Sequence, residues 1–349
     1  MARVTCLPTT LLLATPAMLA SPAMAMNGIG HGTGGIGVGS GVSGVSAPGK
    51  IVLGAIQAML TGDSRFFREA ALARTGSPEP AAPGAWGEGY AGGGRMDGAG
   101  TSGGVNSRLA GGVMGADAAV GDWGLLGLAG GYRTERTKDP ADAALANVSA
   151  YQAGAYASGR WNAVRLTVGA AYEWNHINAE RSDSTGLYAG RYGADLGQVF
   201  GEAGYRLRTG PVSWEPYLGA AWTSLARATF TEAGGAYPFT LTGGRQNVAF
   251  VDIGARARMD WQVAGVTLHP NGALAWRRAY GQLNPGIAAT QAGTATYLTG
   301  DPIDRAAAHI AAGLDVDLPR GGRFGLGYDG QIARGSWTDV ALAKLSLRF

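Results

Sequence analysis

The sequence predicts an all-β protein, a twelve-stranded antiparallel transmembrane β-barrel with a short N-terminal helix in its pore. From residue 85 to residue 349, apolar and polar residues alternate with the period of two that is typical of strands. The alternating segments run for about 10–13 residues, roughly twice the mean strand of globular proteins and long enough for a tilted strand to cross a bilayer. Very short connections also alternate with long ones, as in membrane barrels.

The first 25 residues have the features of a secretory leader. Arg3 supplies a positive start, LLLATPAMLA is a short apolar run, and Ala23 and Ala25 form a small-x-small cleavage site. The one cysteine of the chain, Cys6, lies inside this leader. We therefore expect an exported protein whose mature fold needs no disulfide.

Residues 26–49 form a tract of Gly, Ser and Val without a core pattern, which predicts a flexible segment. The tract contains Gly32, Gly34 and Gly37 at the spacing of a dinucleotide fingerprint. No strand precedes these glycines and no βαβ pattern surrounds them, so we expect no cofactor.

Residues 50–84 are predicted to be a helical linker that ends in a Pro-rich stop. KIVLGAIQAMLTGDSRFFREAALART is the only convincing helical stretch of the chain, with a break or kink expected at Gly62. The prolines that follow, in SPEPAAPG, cannot continue a helix.

The segment Val164 to Asn175 shows the strand pattern most clearly. Val, Leu, Ala, Tyr and Trp occupy one face, whereas the other carries Arg165 and Glu173. Several tryptophans, Trp174 and Trp222 among them, fall near strand ends, where the aromatic girdles of a membrane barrel lie. Charges on one face, apolar residues on the other and aromatic ends indicate a barrel with lipid outside and a wet lumen inside.

Twelve segments have this pattern, an even number, as expected for a single-chain bacterial barrel. They are residues 85–95, 105–119, 123–134, 147–160, 163–177, 194–208, 211–225, 247–262, 265–278, 305–318, 322–333 and 338–349. Short turns are predicted at Gly121-Asp122, Trp161-Asn162, Thr209-Gly210, Val263-Ala264 and Arg320-Gly321, and longer loops at 178–193, 226–246 and 279–304. This asymmetry predicts short periplasmic turns and long outer loops.

Residues 85–349 also resemble a known family, the C-terminal translocator domain of autotransporters, the type V secretion proteins. The resemblance is carried, in order, by AWGEGYAGGGRMDG, GGVMGADAAVGDWGLLGLAGGYR, YQAGAYASGRW, LTVGAAYEWN, QVFGEAGYRL, WEPYLGAAW, LHPNGALAWRRAYG, GLDVDLPRGGRFGLGYDGQ and LAKLSLRF. It implies a barrel in the bacterial outer membrane that mediates, or once mediated, export of an N-terminal passenger. Family members usually carry a long passenger, for which only residues 26–49 are available here, so we expect it to be vestigial or missing.

The resemblance further implies that the barrel-assembly machinery reads the end of the last strand. That end comprises the lipid-facing residues Leu345, Leu347 and Phe349. The expected partners are this machinery and outer-membrane lipids. A net charge of only +3 gives no reason to expect nucleic acid, and we expect a monomer.

The helix that the family keeps in its pore corresponds to the stretch from Ser64 to Thr75. Its arginines are expected to meet inward-facing carboxylates of the barrel: Arg65, Arg68 and Arg74 against Glu173, Glu202, Glu215 or Asp252. The preceding KIVLGAIQAML is apolar on all sides and does not suit a polar lumen. Three alternatives remain for this segment: it emerges beyond the pore, it packs under the outer loops, or it is the remnant of a lost passenger.

We expect no enzymatic activity. The four histidines and the inward carboxylates form no catalytic or metal-binding motif, so neither catalytic nor metal residues are predicted. Two other functions stay open at this stage, a stand-alone outer-membrane channel and a surface adhesin that acts through its long loops.

Overall fold

The structure, a computed structural model, describes residues 48–76, 83–97, 104–139 and 143–348. The predicted leader with Ala23 and Ala25, residues 26–47 of the Gly-rich tract, and Phe349 lie outside the described residues. None of the helices in the described part is both long enough and apolar enough to cross a membrane.

Twelve long antiparallel strands form a closed barrel, which confirms the predicted fold. They are β1 (Gly84–Met96), β2 (Val105–Val120), β3 (Gly124–Lys138), β4 (Ala144–Trp161), β5 (Val164–Asp183), β6 (Gly186–Tyr205), β8 (Val212–Arg227), β11 (Gly244–Met259), β13 (Val266–Gly281), β16 (Ala306–Asp317), β17 (Gly322–Ala333) and β18 (Ser336–Arg348). Each pairs with the next, and β18 pairs with β1 from Gly84↔Arg348 to Met96↔Ser336. Closure leaves no unpaired edge, as the hydrocarbon layer requires.

The remaining elements are short. β7 (Leu207–Thr209) pairs with β8, and β12 (Trp261–Val263) pairs with β13. A separate four-stranded sheet, here called the cap, consists of β9 (Phe230–Thr231), β10 (Phe239–Leu241), β14 (Gly286–Gln291) and β15 (Thr294–Thr299). A single 3₁₀ turn, η1, spans Pro319–Gly321 in the described residues. Before the barrel come the helices α1 (Pro48–Asp63) and α2 (Arg65–Thr75).

Strand β5 shows how the alternation places side chains. Val164, Trp174 and every second residue between them are exposed on the outside of the barrel, whereas Arg165 and Glu173 are buried on the inside. From Val164 to Trp174 the strand rises about 33 Å at ~3.3 Å per residue. At a tilt of ~40° this is about 25 Å along the barrel axis, the height of the apolar band of outer-membrane barrels.

The two ends of the barrel differ in most of their connections, as predicted, although residues 184–185 and 334–335 are short connections at the end opposite the predicted short turns. The five predicted short turns all lie at one end, called here the short-turn end, together with Gly84 and Arg348. One of them, between β4 and β5, takes only two residues because Asn162 adopts a left-handed conformation with φ 53°. The other end, the long-loop end, carries the cap.

The prediction of a loop at residues 178–193 is wrong. β5 continues to Asp183 and β6 begins at Gly186, so this stretch is a hairpin that extends the barrel wall. The alternation continues there, since Ile177 and Tyr188 are buried and Leu187 is exposed. The predicted loops at 226–246 and 279–304 instead contain the cap strands and the ends of their flanking wall strands.

The two helices lie in the barrel and are nearly continuous. The expected break at Gly62 is wrong: Gly62 is helical, and the interruption falls at Ser64. Ser64 itself keeps right-handed helical angles, its amide donates to the carbonyl of Leu60, and its hydroxyl donates to the carbonyl of Thr61. The chain therefore runs through the lumen without turning.

Candidate functional site

The lumen wall carries charges that neutralise one another across neighbouring strands. Arg165 on β5 contacts Glu202 of β6 and lies 2.7 Å from Glu215 of β8. Arg256 on β11 lies 2.7 Å from Glu202 as well. An isolated buried charge is very costly, so this mutual pairing is what allows the inner face to be both buried and charged.

At the long-loop end the lumen is apolar and encloses α1. The buried side chains that meet here come from the helix, the wall and the cap: Val52, Leu53, Ile56 and Leu60; Ala146, Val148, Ile177 and Leu196; Phe239, Leu241, Ile287 and Leu298. Of the three alternatives for KIVLGAIQAML, the structure shows packing under the outer loops. The extended ends of β4 to β6 supply the apolar wall that the polar lumen lower down lacks.

Below this compartment, a buried arginine joins the helix to the wall. Arg133 of β3 lies 3.1 Å from Asp63 at the end of α1, 2.7 Å from Glu135 and 3.1 Å from Glu173. Gln152 adds a hydrogen bond to Glu173. The guanidinium is fully buried, so its contacts hold the junction between the helices against one side of the barrel.

The first turn of α2 makes two polar contacts with opposite walls. Arg65 lies 2.5 Å from Asp329 of β17 and 2.7 Å from Glu69 one turn along the helix. Arg68 donates to the side-chain oxygen of Gln198 on β6 at 2.9 Å, and the Gln198 amide donates to the Ser64 carbonyl at 3.0 Å. These bonds fix both the height and the rotation of α2 in the lumen.

Glu69 connects α2 to a third part of the wall. Arg277 of β13 lies 2.9 Å from Glu69 and 2.7 Å from Asp252 of β11. One wall arginine therefore serves a helix carboxylate and a wall carboxylate at the same time.

The end of α2 is held near the short-turn end by Asp117 of β2. Arg74 donates to both carboxylate oxygens of Asp117 at 2.7 Å, a bidentate pair, and the Tyr156 hydroxyl donates to the same carboxylate at 2.8 Å. The Thr75 hydroxyl lies 3.0 Å from that of Thr167 on β5. We call the Arg74–Asp117 pair with its Tyr156 hydrogen bond the lower latch.

The predicted pairing of helix arginines with wall carboxylates needs correction. All seven predicted residues lie in the lumen, but Arg65, Arg68 and Arg74 meet Asp329, Gln198 and Asp117. Glu202 and Glu215 pair with wall arginines, and Glu173 and Asp252 reach the helix only through Arg133 and Arg277. The alternation marks Asp117 and Asp329 as inward-facing, so the sequence identifies both as possible partners of the helix arginines. It does not give the rotation of a helix inside a barrel.

The helix does not fill the lower lumen. α2 packs against β4 and β5, and a cavity of about 310 Å³ lies on its other side. Its lining combines apolar side chains with polar and charged ones, among them Glu88, Tyr217, Arg256, Arg258 and Lys344. Lys344 and Glu88 pair across the barrel seam at 3.1 Å.

Glu69, His309 and Asp329 bring three potential metal-ligating atoms within 4.8 Å of one another. His309 lies 2.5 Å from Asp329, and the two carboxylates already pair with Arg65 and Arg277. Protein cations thus compensate the charge of this group. It serves as part of the helix–wall contact.

The last strand has the predicted two faces. Leu345 and Leu347 are 45% and 49% exposed on the outside, whereas Ser346 and Lys344 lie on the inward face. Both neighbours of β18 are in place, β17 and β1. Phe349, the third residue of the predicted assembly signal, lies outside the described residues.

A family model described as the autotransporter β-domain matches residues 85–329, a range that runs from β1 into β17. The chain belongs to the autotransporter β-domain family. This confirms the predicted family and, with the closed twelve-stranded barrel, a location in the bacterial outer membrane. In such barrels the short turns face the periplasm and the longer loops the outside. The short-turn end is therefore periplasmic, and the cap and α1 lie at the extracellular end.

Solved structures show the same fold. The translocator domain of the autotransporter NalP from Neisseria meningitidis superposes with a TM-score of 0.71 at 14% identity, covering 85% of this chain and 99% of that one. The transport unit of AIDA-I from Escherichia coli gives 0.59 at 17% identity, with 82% and 98% covered. The β-domain of the Bordetella autotransporter BrkA gives 0.61 at 15% identity, with 77% and 100% covered.

Two curated relatives, both described as extracellular serine proteases of Serratia marcescens, are 29% identical over 243 residues. The match covers 68% of this chain but only 23% of each relative. The chain thus spans about a quarter of the length of the curated relatives that it matches. The protease description applies to those longer proteins.

Proposed function

We propose that the barrel is the conduit through which the segment preceding α1 reaches the cell exterior, and that α1 and α2 then remain as the element that closes it. The direction of the chain supports this most strongly. α1 lies beneath the cap at the extracellular end, and α2 ends at the lower latch near the periplasmic turns. A chain that enters α1 from this side comes from outside the cell.

The contacts of the helices fit a closing element better than they fit an open pore. Apolar packing holds α1 under the cap, and arginine pairs hold α2 at three places on the wall. A stand-alone channel is therefore not favoured. We propose a purely structural role in transport, without enzymatic activity.

We further propose that the barrel-assembly machinery recognises the lipid-facing end of β18, with Leu345, Leu347 and the terminal Phe349 as the signal. Leu345 and Leu347 stand on the lipid face, where an assembly factor reaches them before the barrel closes. The pairing of β18 with β1 is the closing step, so recognition of this strand delays closure until the barrel is in place.

An epitope tag tests the export direction. Inserted between Ser40 and Gly41, ahead of α1, it is expected to bind antibody on intact cells. A tag at Gly293, in the β14–β15 turn of the cap, is the positive control, and one at Asp122, in a periplasmic turn, is the negative control. Labelling of the Ser40 tag only in lysed cells, with both controls as expected, contradicts the proposal.

A further inference from the structure

Two arginines face each other on the lipid side of the barrel, away from the lumen contacts described above. Arg108 of β2 and Arg136 of β3 are paired directly in the strand register, and both are exposed on the outer face. Directly opposed residues place their Cβ atoms about 4.5–5.5 Å apart, and like charges so placed destabilise the sheet. Within the described part of the chain, neither guanidinium has an ion pair or hydrogen bond to compensate this repulsion.

Other polar side chains extend the pair along the same face. Asn147 of β4 lies opposite Arg136, and Lys138, two residues further along β3, lies opposite Asn106. We call Arg108, Arg136, Lys138 and Asn147 the basic patch. It combines three cations with one side-chain amide, that of Asn147, which can donate to hydroxyl or phosphate oxygens.

Among the described residues, the outer face near Arg108 and Arg136 carries few carboxylates. In register, the outward carboxylates nearest to the basic patch are Asp97, which pairs with Arg95 at 2.9 Å, and Glu180, two strands away from Lys138. Arg108 and Arg136 thus face outward together, toward the surroundings of the barrel.

The height of the basic patch places it among lipid headgroups. Tyr132 and Tyr151 are opposed on β3 and β4 with ring centroids 5.0 Å apart, and both are exposed on the outer face. Such aromatic girdles mark the membrane interface. Arg136 follows Tyr132, and Asn147 precedes Tyr151, by four residues, which is about 13 Å along a strand and roughly 10 Å along the membrane normal.

We propose that the basic patch binds the phosphorylated sugar headgroup of a lipid in the outer leaflet. Arginine is the side chain best suited to phosphate, because its planar donors grip two oxygens at once. One phosphate between Arg108 and Arg136 turns their repulsion into two attractive contacts. Asn147 then donates to the sugar or to a second phosphate. This lipid holds the β2–β4 part of the barrel at a fixed height in the membrane.

Native mass spectrometry of the purified full chain tests this proposal. The probes are diphosphorylated lipid A, enzymatically dephosphorylated lipid A, and phosphatidylglycerol. We expect diphosphorylated lipid A to bind at least tenfold more tightly than either of the others. The variant Arg108→Gln/Arg136→Gln is expected to lose this preference. Equal binding of phosphatidylglycerol, or equal binding of the dephosphorylated lipid, overturns the proposal.

A matched control separates the basic patch from general charge. Arg245→Gln/Arg278→Gln removes two outward-facing arginines from β11 and β13 and should leave lipid A binding within twofold of wild type. Equal losses in both double variants contradict a specific site. In lipid-free detergent, Arg108→Gln/Arg136→Gln should melt at or above the wild-type temperature, because a like-charge opposition is removed. A lower melting temperature than the control assigns the arginines a structural role and also overturns the proposal.

Discussion

Replacing Asp117 by Asn should loosen the end of α2 from the barrel wall. The Asp117 side chain is fully buried, and Arg74 grips both of its oxygens at 2.7 Å. The amide keeps the shape but loses the charge and one acceptor, and it leaves the arginine beside a neutral group. Breaking a buried pair costs about 3–5 kcal/mol. Arg74 borders the cavity, so we use the lower limit of this cost, about 3 kcal/mol. A cost of this size raises the fraction of molecules in which the end of α2 has left the wall about a hundredfold.

The rate at which a cysteine at position 75 is modified measures this opening. Thr75 is 2% exposed, so a Thr75→Cys thiol reacts with a bulky maleimide only when the end of α2 leaves the wall. We expect labelling of purified protein, with Cys6 replaced by Ser, to be about a hundredfold faster when Asp117→Asn is added. Hydrogen bonding of Asp117 to Tyr156 is altered by the same change and contributes in the same direction.

A second lumen carboxylate provides the control. Asp315 of β16 lines the cavity, and its ion pair with Arg258 is long, at 4.0 Å. Asp315→Asn should therefore leave the labelling rate within about threefold, since weak pairs contribute about 0–1 kcal/mol. Labelling rates that are unchanged by Asp117→Asn, or raised equally by both variants, refute the claim that the lower latch holds the helix.

Three further predictions concern the barrel as a whole. Arg133→Met should lower the temperature at which the folded barrel unfolds on heated gels, because Asp63, Glu135 and Glu173 lose a shared cation. A Lys344→Met control at the half-buried seam, where one ion pair is lost, should lower it far less, and equal shifts would contradict the prediction. Phe349→Asp should reduce membrane levels far more than inward-facing Ser346→Asp, since a charge on the lipid face costs up to a few kcal/mol, and equal levels on immunoblots would count against the lipid-facing signal. A chain starting at Pro83 should form larger and steadier channels in planar bilayers than the full chain, and identical conductance would show that the helices do not block the lumen.

Much of the barrel could be predicted because the faces of its strands and the positions of its turns depend on residues that are close in sequence. Alternation decides which side chains face lipid, and turns such as the one at Asn162 have their own chemistry, so strand number, turn positions and faces follow from the sequence. The sequence does not predict the hairpin of β5 and β6, because charged residues such as Arg181 are typical of loops. In the structure Arg181 is buried and lies 2.6 Å from Glu232, which comes from the segment between two cap strands.

The contacts of the helix could not be predicted for a different reason. The inward-facing position of Asp117 can be read from alternation, but its pairing with Arg74 depends on how far α2 reaches down and how it is rotated. These two quantities are set jointly by distant contacts, the apolar packing of α1 under the cap and the bonds of Arg65 and Arg68 to the wall. No local pattern carries that information.

A designed disulfide tests the position of the helix most directly. The hydroxyl oxygens of Thr75 and Thr167 lie 3.0 Å apart, so cysteines at both positions are within bonding reach. Thr223 lies opposite Gln198 and hence at the level of Ser64. It supplies a control pair with Thr75, because the two positions are about 16 Å apart along the helix and cannot form a disulfide. Isolated outer membranes, with Cys6 replaced by Ser, are oxidised and then denatured before a maleimide mass tag is added. We predict that oxidation protects both thiols of Thr75→Cys/Thr167→Cys from the tag and leaves those of Thr75→Cys/Thr223→Cys reactive. Full tagging of both pairs after oxidation would show that the helix does not lie in the lumen.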